Sequence, residues 1–247
     1  MKQLLFSVCA LLFAPCVFAG YQHPPQAPDQ PQERITTYPW SVPAQWHERH
    51  REIITRRNMS NINVLFIGDS LINQWVAGGQ RAWAEHYRPL RAANFGVGSD
   101  TTQNILWRIT EGKELLGLSP KVVVILAGIN NFNLSDHDAG QVAAGVIAIS
   151  DTVRQKLPRA QILVLGIFPM GESPEDPIRQ KIRDANNAIQ AVAADKQVTF
   201  LDIGGSFVEP DGRIDQSIMT DYLHLSPEGY AIWARTMNPT LMQLLDR

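Results

Sequence analysis

Residues 63–71 have the sequence NVLFIGDSL, in which an apolar run ends abruptly in glycine, aspartate and serine. A short apolar run without polar alternation is typical of a strand that is buried on both faces of a parallel sheet. Further short runs, most of them also continuously apolar, follow at residues 92–95, 122–127, 161–165 and 198–201. The sequence therefore predicts a parallel sheet whose first strand ends just before Ser70.

Helical patterns lie between these apolar runs. The pattern is helical from residue 43 to 58, and the clearest helix begins at Pro177, with Asp176 as its expected N-cap. Alternating strands and helices predict an α/β protein, a three-layer α/β/α sandwich around a five-stranded parallel sheet. Ligands of such sheets bind beyond the carboxyl ends of the strands, so we expect the functional residues directly after the apolar runs.

The composition is that of an ordinary globular protein. The chain has 247 residues, of which 22 are Lys or Arg and 24 are Asp or Glu, giving a net charge of −2. No basic stripe or block of like charge is present, so nothing indicates nucleic acid or an anionic membrane surface as a partner. No repeat with a period of about 20 to 50 residues is visible, which disfavours solenoids and propellers.

The first 19 residues have the pattern of a signal peptide. Lys2 supplies a positive charge, residues 4–14 are apolar, and residues 17–19 place small side chains at the positions that a signal peptidase reads. We expect cleavage after Ala19 and export to the periplasm or out of the cell. An uncleaved membrane anchor is the alternative, but the apolar run is short of the roughly 20 residues that a bilayer requires.

Both cysteines of the chain, Cys9 and Cys16, lie in this segment. The mature protein would therefore contain no disulfide and could not use thiol chemistry. A lipid anchor on Cys16 is disfavoured, because Pro15 stands where such signals carry a small residue. Residues 20–43 are rich in Pro and Gln and predict an extended lead-in, and residues 44–247 are expected to form one domain.

Ser70 is the first candidate for chemistry. Gly68 permits a tight exit from the strand, and a serine placed there would face solvent at the start of the next helix. The alternative is a turn in which Ser70 is only the N-cap of that helix. The pattern is not Gly-x-Ser-x-Gly, so the elbow of α/β-hydrolases is not indicated.

A glycine-rich segment follows the second apolar run, with Gly96 and Gly98 ahead of Ser99. Two glycines in three residues let the backbone approach a ligand closely, and consecutive N–H groups can form an anion-binding nest. Thr101 stands where a dinucleotide fingerprint would have its third glycine, so that type of site is not indicated. A plain strand-to-helix turn is the alternative.

Asn130 follows the third apolar run, two residues after Gly128. A side-chain amide at a strand end can donate a hydrogen bond into the cleft, as oxyanion sites require. A helix-capping asparagine is the alternative.

Asp221 and His224 form a candidate pair near the C-terminus. The three-residue spacing lets the carboxylate reach His Nδ1, which leaves the other ring nitrogen free to act as a general base. The other histidines have no aspartate at this spacing; they are residues 23, 47, 50, 86 and 137. An ordinary surface Asp–His pair is the alternative.

Taken in order, these motifs resemble the SGNH (GDSL) hydrolase family, from about Trp46 to the C-terminus. Within that family the chain is most similar to the catalytic subunits of the platelet-activating-factor acetylhydrolase type. The similar blocks are residues 64–70, 94–98, 106–108, 128–131 and 222–225.

The resemblance implies a flavodoxin-like parallel sheet and a serine esterase that uses neither a metal nor a cofactor. It implies Ser70 as the nucleophile, His224 as the base and Asp221 as the residue that orients it. The oxyanion hole would consist of the backbone N–H groups of Ser70 and Ser99 and the side chain of Asn130. It also favours short-chain esters, acetyl esters above all, and places O-acetylated glycans among the substrates.

The sequence departs from the family at Ser99, where the family usually has glycine. Serine keeps the backbone N–H, so the departure bears on the backbone angle and on the room beside the acyl group. An acyltransferase with a glycan acceptor would use the same residues, and a non-catalytic binding protein is disfavoured because the motif residues are intact. Homodimers are common in the subgroup, although the sequence assigns no surface to one.

Three tryptophans, Trp75, Trp83 and Trp107, could line an acyl or alcohol pocket. Roles in the core or between helices are the favoured interpretation for such aromatic side chains.

Overall fold

The computed structural model of the protein describes residues 27–59 and 61–247, so the predicted signal peptide lies outside the described residues. Helices and strands alternate along this part of the chain. The α-helices are α1 (Pro43–Met59), α2 (Ser70–Asn73), α3 (Gln80–His86), α4 (Thr102–Ile109), α5 (Ile129–Ser135), α6 (Ala139–Lys156), α7 (Pro177–Ala193) and α8 (Pro227–Leu245). The strands are β1 (Val64–Gly68), β2 (Ala92–Gly96), β3 (Val122–Leu126), β4 (Gln161–Leu165) and β5 (Thr199–Leu201).

The five strands form one parallel sheet in the order β2-β1-β3-β4-β5. This is the flavodoxin-like order, in which the chain reverses its direction of travel between β1 and β3. The predicted α/β fold with a five-stranded parallel sheet is confirmed. The carboxyl ends of β1 and β3 therefore border the crevice in which ligands of such sheets bind.

A separate hydrophobic core lies on each face of the sheet, and alternate residues of β1 point into each. Leu65 and Ile67 pack in the core that also contains apolar side chains of α1, α4, α6 and α7. Val64 and Phe66 pack in the opposite core, with side chains of α2, α3 and α8. Because both faces of the strand are covered, its sequence is continuously apolar, as the three-layer prediction requires.

The end of β1 is one residue later than its apolar run. Gly68 pairs with Gly96 on one side and with Leu126 on the other, so it belongs to the sheet although it carries no side chain. A Cβ atom at Gly68 would lie 2.1 Å from the carbonyl oxygen of Leu126. Only glycine fits between these backbones, and this close approach fixes the position of the next residues.

The helix predicted to begin at Pro177 has the expected N-cap. The Asp176 carboxylate accepts a hydrogen bond from the backbone N–H of Ile178 at 3.2 Å, and α7 begins at Pro177. Ser226 caps α8 by accepting from Gly229 N at 3.1 Å. Within residues 27–59 and 61–247, no helix has the length and apolar character needed to cross a bilayer.

The described part of the lead-in lies along the start of α4. Thr102 Oγ1 donates to the carbonyl oxygen of Pro28 at 2.8 Å. Gln32 donates its backbone N–H to the Gln103 carbonyl at 3.0 Å and accepts from Asn104 Nδ2 at 3.0 Å. This segment contains turns at residues 28–29 and 39–40, and it is attached to the domain by backbone and side-chain hydrogen bonds.

Candidate active site

Ser70 occupies the first position of α2, directly after β1. The Asp69 carboxylate accepts the backbone N–H of Leu71 at 3.0 Å and is the N-cap of this helix. The alternative in which Ser70 is the N-cap is therefore wrong. The Ser70 hydroxyl instead lies 3.0 Å from His224 Nε2, which is hydrogen-bond distance.

His224 lies between Ser70 and Asp221. Its Nδ1 is 2.7 Å from Asp221 Oδ2, while Asp221 Oδ1 accepts the backbone N–H groups of His224 at 2.6 Å and of Leu223 at 3.2 Å. Partial burial acts to raise the pKa of Asp221, but the hydrogen bonds from the ring and backbone of His224 outweigh it and lower the pKa below its usual value. Asp221 therefore stays ionised at neutral pH and fixes the imidazole with Nδ1 as the donor.

Ser99 adopts the left-handed backbone conformation, with a φ of 60°. A residue with a Cβ pays about 1–2 kcal/mol for this conformation, which explains why glycine suits the position. The Ser99 hydroxyl accepts a hydrogen bond from Trp40 Nε1 at 2.9 Å. Ser99 thus adopts the left-handed backbone conformation that favours glycine, and its hydroxyl adds one side-chain contact.

Asn130 lies at the start of α5, after a turn in which Gly128 has a φ of 119°. Its Nδ2 donates to the carbonyl oxygen of Asp100 at 2.9 Å, and the residue is 7% exposed. An amide nitrogen carries two hydrogens, so one N–H remains for a ligand. Asn131 has a different task, because its side chain joins α5 to Thr102 and Gln103 of α4.

Ser70, Ser99, Asn130 and His224 all line one pocket of about 730 Å³. Asp221 stands behind His224 and contacts the pocket only through it. The pocket lies beyond the ends of β1 and β3, at the crevice that the strand order predicts. Its other lining residues are Trp40, Ser41, Gln45, Trp46, Arg49, Asn73, Gln74, Val97, Gly98, Asn133, Leu134 and Leu223.

A buried ion cluster supports the two loops of this site. Arg108 is fully buried and donates from Nε to Asp100 at 2.7 Å and from Nη1 to Glu114. It also donates to the carbonyl oxygens of Gly68 at 3.2 Å and Phe95 at 3.1 Å. Burial opposes the charge of Arg108, but Glu114 and Asp100 outweigh it and raise the pKa of Arg108 above its usual value.

The sequence interpretation did not assign this cluster. The signal that could have found it is Arg108 itself, a charged residue among the apolar residues of a short helix. A charge at such a position is buried only if partners are supplied, and those partners lie in other loops.

Asp69 is also fully buried, and its Oδ2 has no hydrogen-bond partner among the described residues. Burial raises the pKa of Asp69 to about 7; the hydrogen bond from Leu71 N opposes this shift, and the nearby Asp100 adds to it.

In the described parts of the chain, no group of three His, Cys, Asp or Glu side chains is placed to hold a metal ion.

The three tryptophans considered for the pocket pack elsewhere. Trp75 and Trp83 contact each other and Phe66 beneath the sheet, and Trp107 packs against Trp46. The packing interpretation therefore holds for all three. The aromatic side chains that do line the pocket are Trp46 and Trp40, the latter from the lead-in.

The model of the GDSL-like lipase/acylhydrolase family matches residues 66–232. This range includes all five candidate site residues, which are Ser70, Ser99, Asn130, Asp221 and His224. The chain belongs to the GDSL-like lipase/acylhydrolase family. Membership confirms the resemblance that the motifs indicate, and this GDSL-family protein is a carboxylic ester hydrolase.

Characterised relatives of this GDSL-family chain are subunits of platelet-activating factor acetylhydrolase IB. Subunit alpha1 of Bos taurus is 39% identical over 203 residues, covering 82% of this chain and 84% of the relative. Subunit alpha2 of Rattus norvegicus is 38% identical over 203 residues, covering 81% and 85%.

Solved structures share the fold at low sequence identity. A GDSL-like lipase from Bacteroides thetaiotaomicron has a TM-score of 0.64 at 19% identity, covering 81% of this chain and 97% of that one. A catalytic mutant of an acetylxylan esterase from Geobacillus stearothermophilus has a TM-score of 0.57 at 18% identity, covering 73% and 94%.

Proposed function

We propose that the protein is an exported serine esterase that cleaves short-chain carboxylic esters, acetyl esters above all, through an acyl-enzyme intermediate. The observation that carries the proposal is the continuous chain of hydrogen bonds from Ser70 Oγ through His224 to Asp221. A serine hydroxyl is a weak nucleophile on its own, and a histidine base that is oriented by a carboxylate is the usual means of activating it.

In the first half of the reaction, Ser70 Oγ attacks the ester carbonyl carbon while His224 Nε2 takes the hydroxyl proton. The tetrahedral intermediate then collapses, the bond to the alcohol oxygen breaks, and His224 returns the proton to that oxygen. Water repeats the sequence on the acyl-enzyme and releases the acid and free Ser70. Asp221 holds the ring and stabilises its positive charge in both halves.

The negative charge of the tetrahedral intermediate would be stabilised by the N–H groups of Ser70 and Ser99 and by Asn130. All three residues line the same pocket as His224. Preorganised donors of this kind act only where charge develops, so they lower the barrier rather than bind the ester more tightly.

Acetyl preference is supported by the relatives. Both curated relatives are named as acetylhydrolase subunits, and one neighbour in structure is an acetylxylan esterase. Export is supported by the sequence of residues 1–19 alone. Fractionation of cells that express the full chain, with N-terminal sequencing of the product, tests export: a mature N-terminus at residue 20 is expected, and an uncleaved cytosolic product would overturn it.

The esterase proposal is tested with p-nitrophenyl acetate, butyrate and octanoate. The parent should prefer acetate, and Ser70→Ala should lose turnover of all three. Ser119→Ala is the matched control. Ser119 is exposed in the loop that precedes β3, at the amino-terminal ends of the strands and so on the side of the sheet away from the pocket. Equal activity of the parent and Ser70→Ala would contradict the proposal, and turnover that requires an added glycan acceptor would indicate a transferase.

A further inference from the structure

We propose that Trp40 is a substrate-contacting residue, whose indole forms the wall on which the alcohol part of the ester packs and by which ring-bearing alcohols are selected. This inference rests on the proposed esterase function, since it assigns a partner to the part of the ester that leaves. It gives the lead-in segment, to which the sequence assigned no role, a direct part in specificity.

The placement of Trp40 is the first argument. The residue lines the pocket and is nevertheless 65% exposed, so burial does not hold it there. Two specific contacts do: Nε1 donates to Ser99 Oγ at 2.9 Å, and the indole stacks on Tyr38 with ring centres 5.5 Å apart and planes 8° from parallel. A large apolar ring that is fixed at the mouth of a pocket and left open to solvent is suited to contact a ligand.

The segment that carries Trp40 is itself fastened to the catalytic loop. Arg34 is almost fully buried and donates from Nη1 to the carbonyl oxygen of Gly98 at 3.0 Å, with Nη2 3.7 Å from Asp100. Tyr38 and Ser41 exchange backbone hydrogen bonds of 2.8 and 3.1 Å, which close a tight turn around Trp40. These contacts therefore fix the position of the indole relative to the loop that carries Ser99.

The serine at position 99 also favours this role for Trp40. Where the wider family usually has glycine, this chain has a residue that must adopt a φ of 60° at an energetic cost. Glycine would offer no acceptor to Trp40 Nε1, whereas the Ser99 hydroxyl does. The substitution and the aromatic wall are thus parts of one arrangement that this chain possesses.

Trp40 would contact the alcohol part of the ester because of the position at which the ester bond is cleaved. The ester carbonyl carbon must lie next to Ser70 Oγ for the attack. Because the acyl group is short, the alcohol is the part of the ester that extends to the open mouth of the pocket. The charged groups near the wall do not favour a cationic alcohol: no carboxylate lines the described pocket, and Arg49 bonds the carbonyl oxygens of Gly96 and Asn94. A neutral alcohol with a flat or cyclic apolar face, such as a benzyl group or a sugar ring, fits best.

The test compares acetates that differ only in the alcohol. Benzyl acetate and an acetylated methyl xyloside carry a ring, and ethyl acetate does not. In Trp40→Ala we expect kcat/KM to fall about five- to tenfold for the two ring-bearing esters and to stay within about twofold for ethyl acetate. Trp40→Phe keeps a ring but loses the hydrogen bond to Ser99, so its selectivity should lie between those of the parent and Trp40→Ala. Ile35→Ala is the control, because Ile35 is an exposed apolar residue of the same segment outside the pocket lining.

Deacylation supplies a second readout. In the acetyl-enzyme the alcohol has left, so Trp40→Ala should slow acylation by the two ring-bearing esters more than it slows hydrolysis of the acetyl-enzyme. An equal fall on all three acetates, or no change on any, would overturn the proposal while leaving the esterase function standing. A parent without turnover of any ester would instead refute the esterase function itself.

Discussion

Replacing Asp221 with asparagine tests how the triad is oriented. In the parent, Oδ2 of Asp221 faces His224 Nδ1 at 2.7 Å, and Oδ1 accepts two backbone N–H groups, from His224 at 2.6 Å and Leu223 at 3.2 Å. In Asp221→Asn, the remaining oxygen stays with the two backbone donors, and the amide nitrogen faces Nδ1. The ring then carries its proton on Nε2, where it can no longer accept one from Ser70.

The size of the effect follows from these contacts. Turning the amide round to restore the working tautomer would place the NH₂ group against two backbone donors and lose both hydrogen bonds. At about 1–1.5 kcal/mol for each bond, the wrong tautomer is favoured by about 2–3 kcal/mol, or roughly 30- to 150-fold. Loss of the charge that stabilises the imidazolium adds to this, although the Asp221 side chain is 56% exposed and solvent screens that part. We expect kcat/KM to fall about 10²–10³-fold.

The assay is p-nitrophenyl acetate hydrolysis across pH, together with thermal unfolding to show that the variant is folded. Asp215→Asn is the matched control, because Asp215 also accepts a backbone N–H, from Ser217 at 2.7 Å. A folded Asp221→Asn enzyme within about threefold of the parent would refute the argument about the tautomer.

Three further substitutions probe other parts of the site. Asn130→Ala should lower kcat about 10²–10³-fold with little change in KM, as steady-state kinetics will show, because one oxyanion donor is removed; an unchanged kcat would remove this residue from the mechanism. Arg108→Met should lower the free energy of unfolding by about 3–5 kcal/mol in urea titrations, since it removes the buried cation that bonds both Asp100 and Glu114; a loss below about 1 kcal/mol would contradict that. The pKa of Asp69 is about 7 in the folded protein and 3.8 for an ordinary aspartate, so this carboxyl group ionises at lower pH in the unfolded chain than in the folded one. Asp69 therefore lowers the free energy of unfolding as pH rises from about 4 to 7, by at most about 4 kcal/mol. Asp69→Asn should remove that slope from the pH dependence of the urea midpoint, and an unchanged slope would assign it to another group.

The sheet could be predicted because buried strands have a strong signature. The run at 161–165 matches β4 residue for residue, whereas β1 continues to Gly68 because pairing with two neighbours, and not hydrophobicity, decides where a strand ends. Chain order alone does not place β1 between β2 and β3; the family resemblance does. The site followed from the same rule, since Ser70 and Asn130 come directly after neighbouring strands.

What the sequence did not indicate are the contacts that join distant parts of the chain. Arg34 and Trp40 lie in a segment whose composition predicts only an extended chain, yet they bond residues 98 and 99 of the catalytic loop. Nothing local in the sequence marks such a partner, because the acceptor of Arg34 is a backbone carbonyl. The hydrogen bond from Arg108 to the carbonyl oxygen of Gly68 is hidden for the same reason.

Identification of the residue that becomes covalently modified is the most direct test of the serine mechanism. The protein would be treated with a fluorophosphonate and, separately, rapidly quenched during turnover of p-nitrophenyl acetate, and then digested and mapped by mass spectrometry. A single modified residue, Ser70, is expected in both samples, with labelling slowed in His224→Ala. A modification at another side chain, or turnover without any modification of Ser70, would contradict the serine mechanism.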